Sequence, residues 1–395
     1  MRFGFGKLAR QLGRVSMLTQ PHPKIWLDAA AGSLEQLKAL VAAETQAQDY
    51  PLASEIVQNT VIYAGETFHS ADPHALMSEI NRAFDQGPGI IAIRGALPDH
   101  SVIDAATALF ERMIEEERDT GGGDHFAKPG ANDRVWNAAQ KHCLANPQNF
   151  AAYFNSPAID LPCRAWLGEG YQLTAQVNRV NPGGAAQKAH RDYHLGFMDA
   201  ARVASYPAQV HALSPLLTLQ GAIAHCDMPR ETGPTLYLPY SHQMLEGYVA
   251  FGRPEFQDFF AEHHTQLPLQ KGDAVFFNPA VMHGAGTNST KDQFRMANLL
   301  QIGSPFGRSI EAVDRDAMCR ALYPVLQEMG AAERGRVIAA AAEGYAFPTN
   351  LDADPPVGGL IPESQAELVA RALREGLSFD AFQAQLSAQT ERKTP

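Results

Sequence analysis

Three positions constrain this chain more than any others: His190 and Asp192, one residue apart, and His283, in a separate segment far downstream. Side chains of an extended segment repeat every second residue, so His190 and Asp192 share a face and can reach one point. Arg191 between them points the other way, into the wall or to solvent. His283 has to arrive from another strand. A fold that brings two such distant segments together through short strands is a layered or closed β architecture. Two imidazoles and a carboxylate form a facial triad that holds Fe(II) on one side and leaves the opposite positions open.

With 14 histidines in the chain, an isolated H-x-D carries little weight. The surrounding text gives it weight. Lys271 to His283 reads KGDAVFFNPAVMH and continues GAGTNSTKDQFR to Arg295. A Gly-Asp turn, an aromatic strand, Asn-Pro, the histidine, Gly-x-Gly and an arginine follow in order. Arg295 lies in a strand-like run, where a guanidinium can grip a carboxylate with two parallel hydrogen bonds.

The pattern around these residues is one of short strands. Gly89 to Arg94 is an apolar strand between Gly87-Pro88 and Gly95. Tyr171 to Val180 alternates, with Gln176 and Asn178 on one face. Leu216 to His225 reads as a long strand, Glu231 to Pro234 as a tight turn, and Thr235 to Leu238, Ala274 to Phe277 and Phe294 to Ile302 as further strands. Several short strands with Gly/Pro turns predict a sandwich or jelly roll.

The flanks read differently. Residues 1–85 read as mostly helical and irregular, with a capping pattern at Ser33-x-x-Gln36 before Leu34, Leu37, Leu40 and Val41. A second amphipathic helix runs from Ser101 to Arg118. Asp119 to Arg134 is a Gly-rich loop and a lid candidate. Residues 306–395 return to helices, with a capping box at Ser364-x-x-Glu367 and Gly376 as its stop.

Composition narrows the function. A net charge of −11 repels phosphate backbones and anionic membranes, which argues against a nucleic-acid or membrane partner. No apolar run is long enough to span a bilayer. Cys143, Cys163, Cys226 and Cys319 form no C-x-x-C pair or zinc spacing, so buried or free thiols in a reducing, cytoplasmic compartment are expected. Met1 to Gln20 is basic and has no secretory apolar region. The partner expected is a small-molecule substrate; monomer and homodimer both stay open.

The segments HRDYHLGF (His190–Phe197), ETGPTLYLPYSH (Glu231–His242) and KGDAVFFNPAVMHGAGTNSTKDQFR (Lys271–Arg295) resemble the phytanoyl-CoA dioxygenase family of Fe(II)/2-oxoglutarate oxygenases. The resemblance covers roughly 89–305, with gaps. It implies a double-stranded β-helix core at 86–305 between helical extensions at 1–85 and 306–395. It implies iron held by His190, Asp192 and His283, with the distal carboxylate of 2-oxoglutarate on Arg295 and O₂ as oxidant. The product expected is a hydroxylated small-molecule or acyl substrate, with succinate and CO₂ released. One departure stands out: relatives often carry a serine two residues after the second histidine, and this chain has Ala285. Thr287 or Asn288 could supply that polar contact, or Arg295 could suffice. Halogenating relatives replace the triad's carboxylate by a small residue, so Asp192 favours oxygenation.

Other positions carry two readings. Gln176 and Asn178 could meet 2-oxoglutarate or substrate, or be satisfied interior amides. Tyr193 and His194 could edge the substrate pocket or pack the loop. Lys188 and Arg191 flank the ligands and are best placed to meet an anionic substrate; Arg179 and Arg230 would complete a basic rim or be solvated charges. His225 reads as an ordinary strand histidine, His242 as structural, and His263 and His264 as surface residues. Two rival functions remain: a metal-dependent jelly-roll enzyme that does not use 2-oxoglutarate, and a non-catalytic metal- or ligand-binding jelly roll.

Overall fold

The computed structural model describes residues 25–119 and 131–394. Its centre is a sheet of eight strands: β1 (Glu55–Val57), β2 (Thr60–Ala64), β3 (Ile90–Arg94), β4 (Asn132–Val135), β5 (Gln172–Val180), β6 (Thr218–Ala224), β9 (Ala274–Phe277) and β11 (Arg295–Gly303). Their order is β1-β2-β3-β9-β6-β11-β5-β4, antiparallel throughout except for the β2–β3 pair. A smaller sheet has the order β10-β7-β8, from Met282–Gly284, Leu236–Leu238 and Thr265–Gln266. The two sheets make a jelly-roll core with helical extensions.

The large sheet has two dry faces, and alternation sorts its residues between them. Ile90, Ala92, Val275, Phe277, Ala224 and Ala297 face inward and pack with Tyr237 of β7. Their neighbours Ile91, Ile93, Ala274, Phe276, Ile223, Met296 and Leu300 face outward. There they meet a helical layer through Phe84, Phe110, Phe150, Phe154, Leu322 and Leu368. This explains why β3 and β9 read as continuous apolar runs: both faces are covered.

The amphipathic helix expected at 101–118 is His100–Asp119. Ser33 caps Leu34–Val41 by accepting from Gln36 N. Ser364 and Glu367 close a full capping box on Gln365–Glu375, which ends on Gly376 at φ 65°. The N-terminal expectation needs correction, because β1 and β2 lie inside the stretch read as helical and irregular. The two join through Gln58 and Asn59, both at positive φ (48° and 67°). That turn suits the right-handed twist of a hairpin but lacks the glycine that usually advertises it. The lid candidate is also shortened: Asn132–Val135 is an edge strand paired with β5, and residues 120–130 lie outside the described residues. The basic stretch at 1–20 lies outside them too. Among the described residues no helix is long and apolar enough to cross a membrane.

Candidate metal centre

His283 sits in the middle of β10, opposite Tyr237 of β7. His190 forms an isolated antiparallel bridge to His283, so its segment extends the small sheet by one more strand position. Asp192 is anchored by its own backbone N–H, which donates to Pro279 O at 3.0 Å. The ligand atoms of His190, Asp192 and His283 all lie within 4.8 Å of one another. His283 Nε2 is 3.4 Å from one carboxylate oxygen of Asp192, and His190 Nε2 is 3.7 Å from the other.

The imidazoles are oriented as ligands. His190 Nδ1 lies 2.9 Å from Lys188 O, and His283 Nδ1 lies 2.9 Å from Val281 O. A carbonyl can only accept, so each Nδ1 carries the proton and each Nε2 keeps its lone pair for a metal. Burial, with His283 beside it, lowers the pKa of His190 and keeps it neutral. Burial pulls the Asp192 carboxyl upward. Its contacts with His283, His190 and the Gln220 amide outweigh that and hold it at about 2. Two neutral imidazoles and one ionised carboxylate are what a facial triad requires.

Past Asp192 the chain turns sharply. Tyr193 stands at φ 61°, ψ 154°, a region almost reserved for glycine, and His194 at φ 44°. Tyr193 is held there by full burial, by Gly196 N donating to its carbonyl, and by edge-on contact with Phe197. The strain fixes where Asp192 ends and the site wall begins.

Arg295 opens β11 on the inward face and is 5% exposed. Burial pulls its pKa down to about 10, so it stays charged near neutrality. Its Nε donates to Thr232 O at 2.9 Å, while its Nη2 is buried with no partner. A buried guanidinium with an unused donor calls for an anion. It lines a narrow cavity inside the barrel with Thr235, Tyr237, Val275 and Leu299. The Tyr237 ring also stacks on His283 at 6.5 Å, so one residue borders both the arginine cavity and the triad. The donor set therefore fits a metal ion at the triad and a carboxylate at Arg295.

Other expected site residues fall elsewhere. Arg191 is 1% exposed, and its guanidinium donates to Met244 O and Ser241 O over the Tyr248 ring. It is a wall strut: Nη1 and Nη2 donate to carbonyls inside the protein, and Nε is buried without a partner. Thr287 is exposed, and its hydroxyl accepts from Ala186 N; Asn288 binds Val180 O and Gln293 O. Both latch loops together through these bonds. Lys188 is exposed and serves His190 through its carbonyl. Arg179 pairs with Asp133. His194 is half-buried, with its Nδ1 unpartnered.

Gln176 and Asn178 do face inward. Gln176 accepts from Arg134 and donates to Gln301, while Asn178 Oδ1 is buried without a partner. His225 lies on the opposite, helix-covered face with Tyr153 and Thr107. His242 binds Asp85 O, a structural role. Sequence reading missed Gln220, which donates to Asp192, and Tyr237. Gln220 is the one amide in an otherwise apolar run of β6, and that was the available signal.

A jelly roll with a two-histidine, one-carboxylate focus and a buried arginine in its barrel defines a facial-triad metalloprotein. The chain belongs to the phytanoyl-CoA dioxygenase (PhyH) family, whose model matches residues 85–297. It is similar to the dioxygenase aneA of Aspergillus aculeatus, 27% identical over 146 residues (36% of this chain, 42% of that protein). It is also similar to the dioxygenase FrzG of a Cladobotryum species, 22% identical over 213 residues (53% of this chain, 61% of that protein). The chain thus spans about half the length of these curated relatives. Among solved structures, the alpha-ketoglutarate-dependent epimerase SnoN from nogalamycin biosynthesis is 19% identical at TM-score 0.43, covering 59% of this chain and 82% of that one. HygX from Streptomyces hygroscopicus, solved with nickel and 2-oxoglutarate, is 16% identical at TM-score 0.37, covering 60% of this chain and 90% of that one.

Proposed function

We propose that this protein is a non-haem Fe(II)/2-oxoglutarate-dependent dioxygenase that hydroxylates a small molecule and releases succinate and CO₂. The observation that carries the reading is the pairing of two functions in one barrel. His190, Asp192 and His283 present ligand atoms to one point, and Arg295 holds a buried, unsatisfied positive charge beyond Tyr237. Bound iron, with 2-oxoglutarate and O₂, would supply the oxidant that removes a substrate hydrogen.

The protein's own part is placement. Lys188 O and Val281 O fix the imidazole tautomers. Gln220 holds the carboxylate of Asp192. Arg295 would receive the distal carboxylate of 2-oxoglutarate through its free Nη2, in a cavity that Tyr237, Val275 and Leu299 line. The rival enzyme without 2-oxoglutarate leaves Arg295 without a role, and burying an unpaired cation costs several kcal/mol, roughly. Four unpaired thiols, three of them buried, support a reducing compartment such as the cytoplasm.

The test is anaerobic reconstitution with Fe(II) followed by 2-oxoglutarate, watched in the visible. A weak charge-transfer band that needs both additions is expected. Bound iron with no band on adding 2-oxoglutarate would overturn the co-substrate assignment.

A further inference from the structure

We propose that the wall beside the triad carries a recognition site for a neutral amide- or alcohol-type group, formed by Gln220 and Gln301. This deepens the oxygenase reading by naming the substrate class, and it rests on that reading for its place in the reaction.

The argument runs through the direction of the hydrogen bonds. Arg134 can only donate, so Gln176 turns its Oε1 toward it, at 2.9 Å. Gln176 Nε2 then faces Gln301 and donates to its Oε1 at 3.1 Å. That leaves the NH₂ of Gln301 at the free end of the relay, with no partner among the described residues. The other side starts from Asp192, whose ionised carboxylate can only accept. Gln220 gives it Nε2, which leaves Gln220 Oε1 buried and unpartnered. Both amide orientations are thus dictated by their ends, a guanidinium and a carboxylate.

Gln220 and Gln301 are direct cross-strand partners in β6 and β11. Residues so paired share a face and hold their Cβ atoms about 5 Å apart. The pairing therefore puts both side chains on the same face beside Asp192, Gln220 with a spare acceptor and Gln301 with a spare donor. Gln220 is 8% exposed, so its unused acceptor is a buried group awaiting a partner. The Tyr193 hydroxyl, one residue beyond Asp192, is likewise buried and lies beside the Gln220 amide, so it belongs to the same polar wall.

Among the described residues the wall offers no spare cation: Arg134 is bound to Gln176, Arg191 is inside the protein and Arg179 is paired with Asp133. Its acids are Asp192 and the half-buried Glu311, which lies beside Gln176 and Tyr193 and whose pKa burial raises. A basic rim for an anionic substrate does not form here. A site of buried amides selects by hydrogen bonding and rejects analogues that lack the matching group.

The test uses 2-pyrrolidone, a small lactam with a donor and an acceptor side by side, and N-methyl-2-pyrrolidone, which lacks the donor. Each is titrated into the metal-free protein by saturation-transfer NMR. 2-Pyrrolidone is expected to bind, with N-methylation weakening it about tenfold, the scale of one buried hydrogen bond. Gln220→Leu and Gln301→Leu are each expected to weaken it by about fivefold or more. Gln301→Glu, which keeps the bond from Gln176 and exchanges the outward donor for an acceptor, guards against a folding defect and should lose binding equally. No binding, or binding indifferent to N-methylation and to the glutamines, overturns the proposal.

Mn(II) separates this from the metal reading. Its own binding is read by water-proton relaxation and should vanish in His283→Ala. With Mn(II) bound, the 2-pyrrolidone resonances should broaden. Glutamine-dependent binding without broadening would place the pair away from the metal and overturn its substrate role. Mn(II) binding without lactam binding would overturn the recognition site and leave the metal centre standing.

Discussion

His190 and His283 exchange both of their backbone hydrogen bonds, His190 N to His283 O at 2.8 Å and His283 N to His190 O at 3.0 Å. Residues far apart in sequence are thereby locked as direct neighbours, with ring centroids 4.5 Å apart. The exchange belongs to the backbone and does not depend on either side chain. The frame of the centre should therefore outlast the loss of a ligand.

The first prediction follows from that separation. His190→Ala, Asp192→Ala and His283→Ala should each weaken metal binding by 100-fold, roughly, or more, since even residues that only orient a ligand cost 10–100-fold. Thermal unfolding should move little. Calorimetric titration of Co(II), with a melting curve for each variant, checks both. Full-affinity binding in any variant removes that residue from the ligand set.

Arg295→Ala should leave metal affinity unchanged and weaken 2-oxoglutarate binding by roughly 100-fold, the scale of a pair of charge-assisted hydrogen bonds. Arg295→Lys should recover little. The native guanidinium spends Nε on Thr232 O and keeps Nη2 for the ligand, and an ammonium cannot serve both directions from one planar group. Titration of 2-oxoglutarate into the metal-loaded variants reads this directly. Unchanged affinity in Arg295→Ala would break the link between the arginine and the co-substrate.

These two predictions concern what the sequence made legible. Ligand chemistry is local: the residue types at 190, 192 and 283 declare themselves, and period-two alternation places Gln176 and Asn178 on the inward face. Register is not local. Gln220 reaches Asp192 because β6 lies between β9 and β11, and no spacing in the sequence announces that order. Arg191 shows the same limit. Alternation turns it away from the metal, but whether it meets solvent or the protein interior depends on Ser241, Met244 and Tyr248, which arrive from another segment. The β1–β2 hairpin escaped notice because its turn is Gln58-Asn59, where the usual signal is a glycine.

Arg191 gives a prediction opposite in kind to that for Arg295. Arg191→Met should destabilise the fold by about 3 kcal/mol, because Met244 O and Ser241 O lose their donors in a buried site. Gly247→Ala should do the same from the other side, since a Cβ there would collide with the Arg191 guanidinium. Denaturant unfolding measures both. Metal and 2-oxoglutarate affinities of the folded fraction should stay near wild type. A selective loss of ligand binding at unchanged stability would return Arg191 to the site.

The last prediction concerns acid. His142 and His225 are buried in the helical layer and held neutral, burial lowering them to about 4 and about 3. Thr107 donates to Ile103 O, so its oxygen accepts from His225 Nδ1, and His225 Nε2 accepts from the Tyr153 hydroxyl. His225 is thus wired for one proton, and His142 donates from Nε2 to Asn149 Oδ1 at 2.8 Å while its buried Nδ1 has no acceptor for a second. In the unfolded chain both histidines take up a proton near pH 6.5, while the folded chain resists until about 4. Acid therefore favours the unfolded state, and stability should fall as pH drops through this window. Each imidazole contributes up to about 1.4 kcal/mol per pH unit. His225→Gln, which has no titrating ring, should flatten the slope by one such increment, read as unfolding free energy against pH. An unchanged slope in that variant would mean that His225 does not stay neutral in the fold.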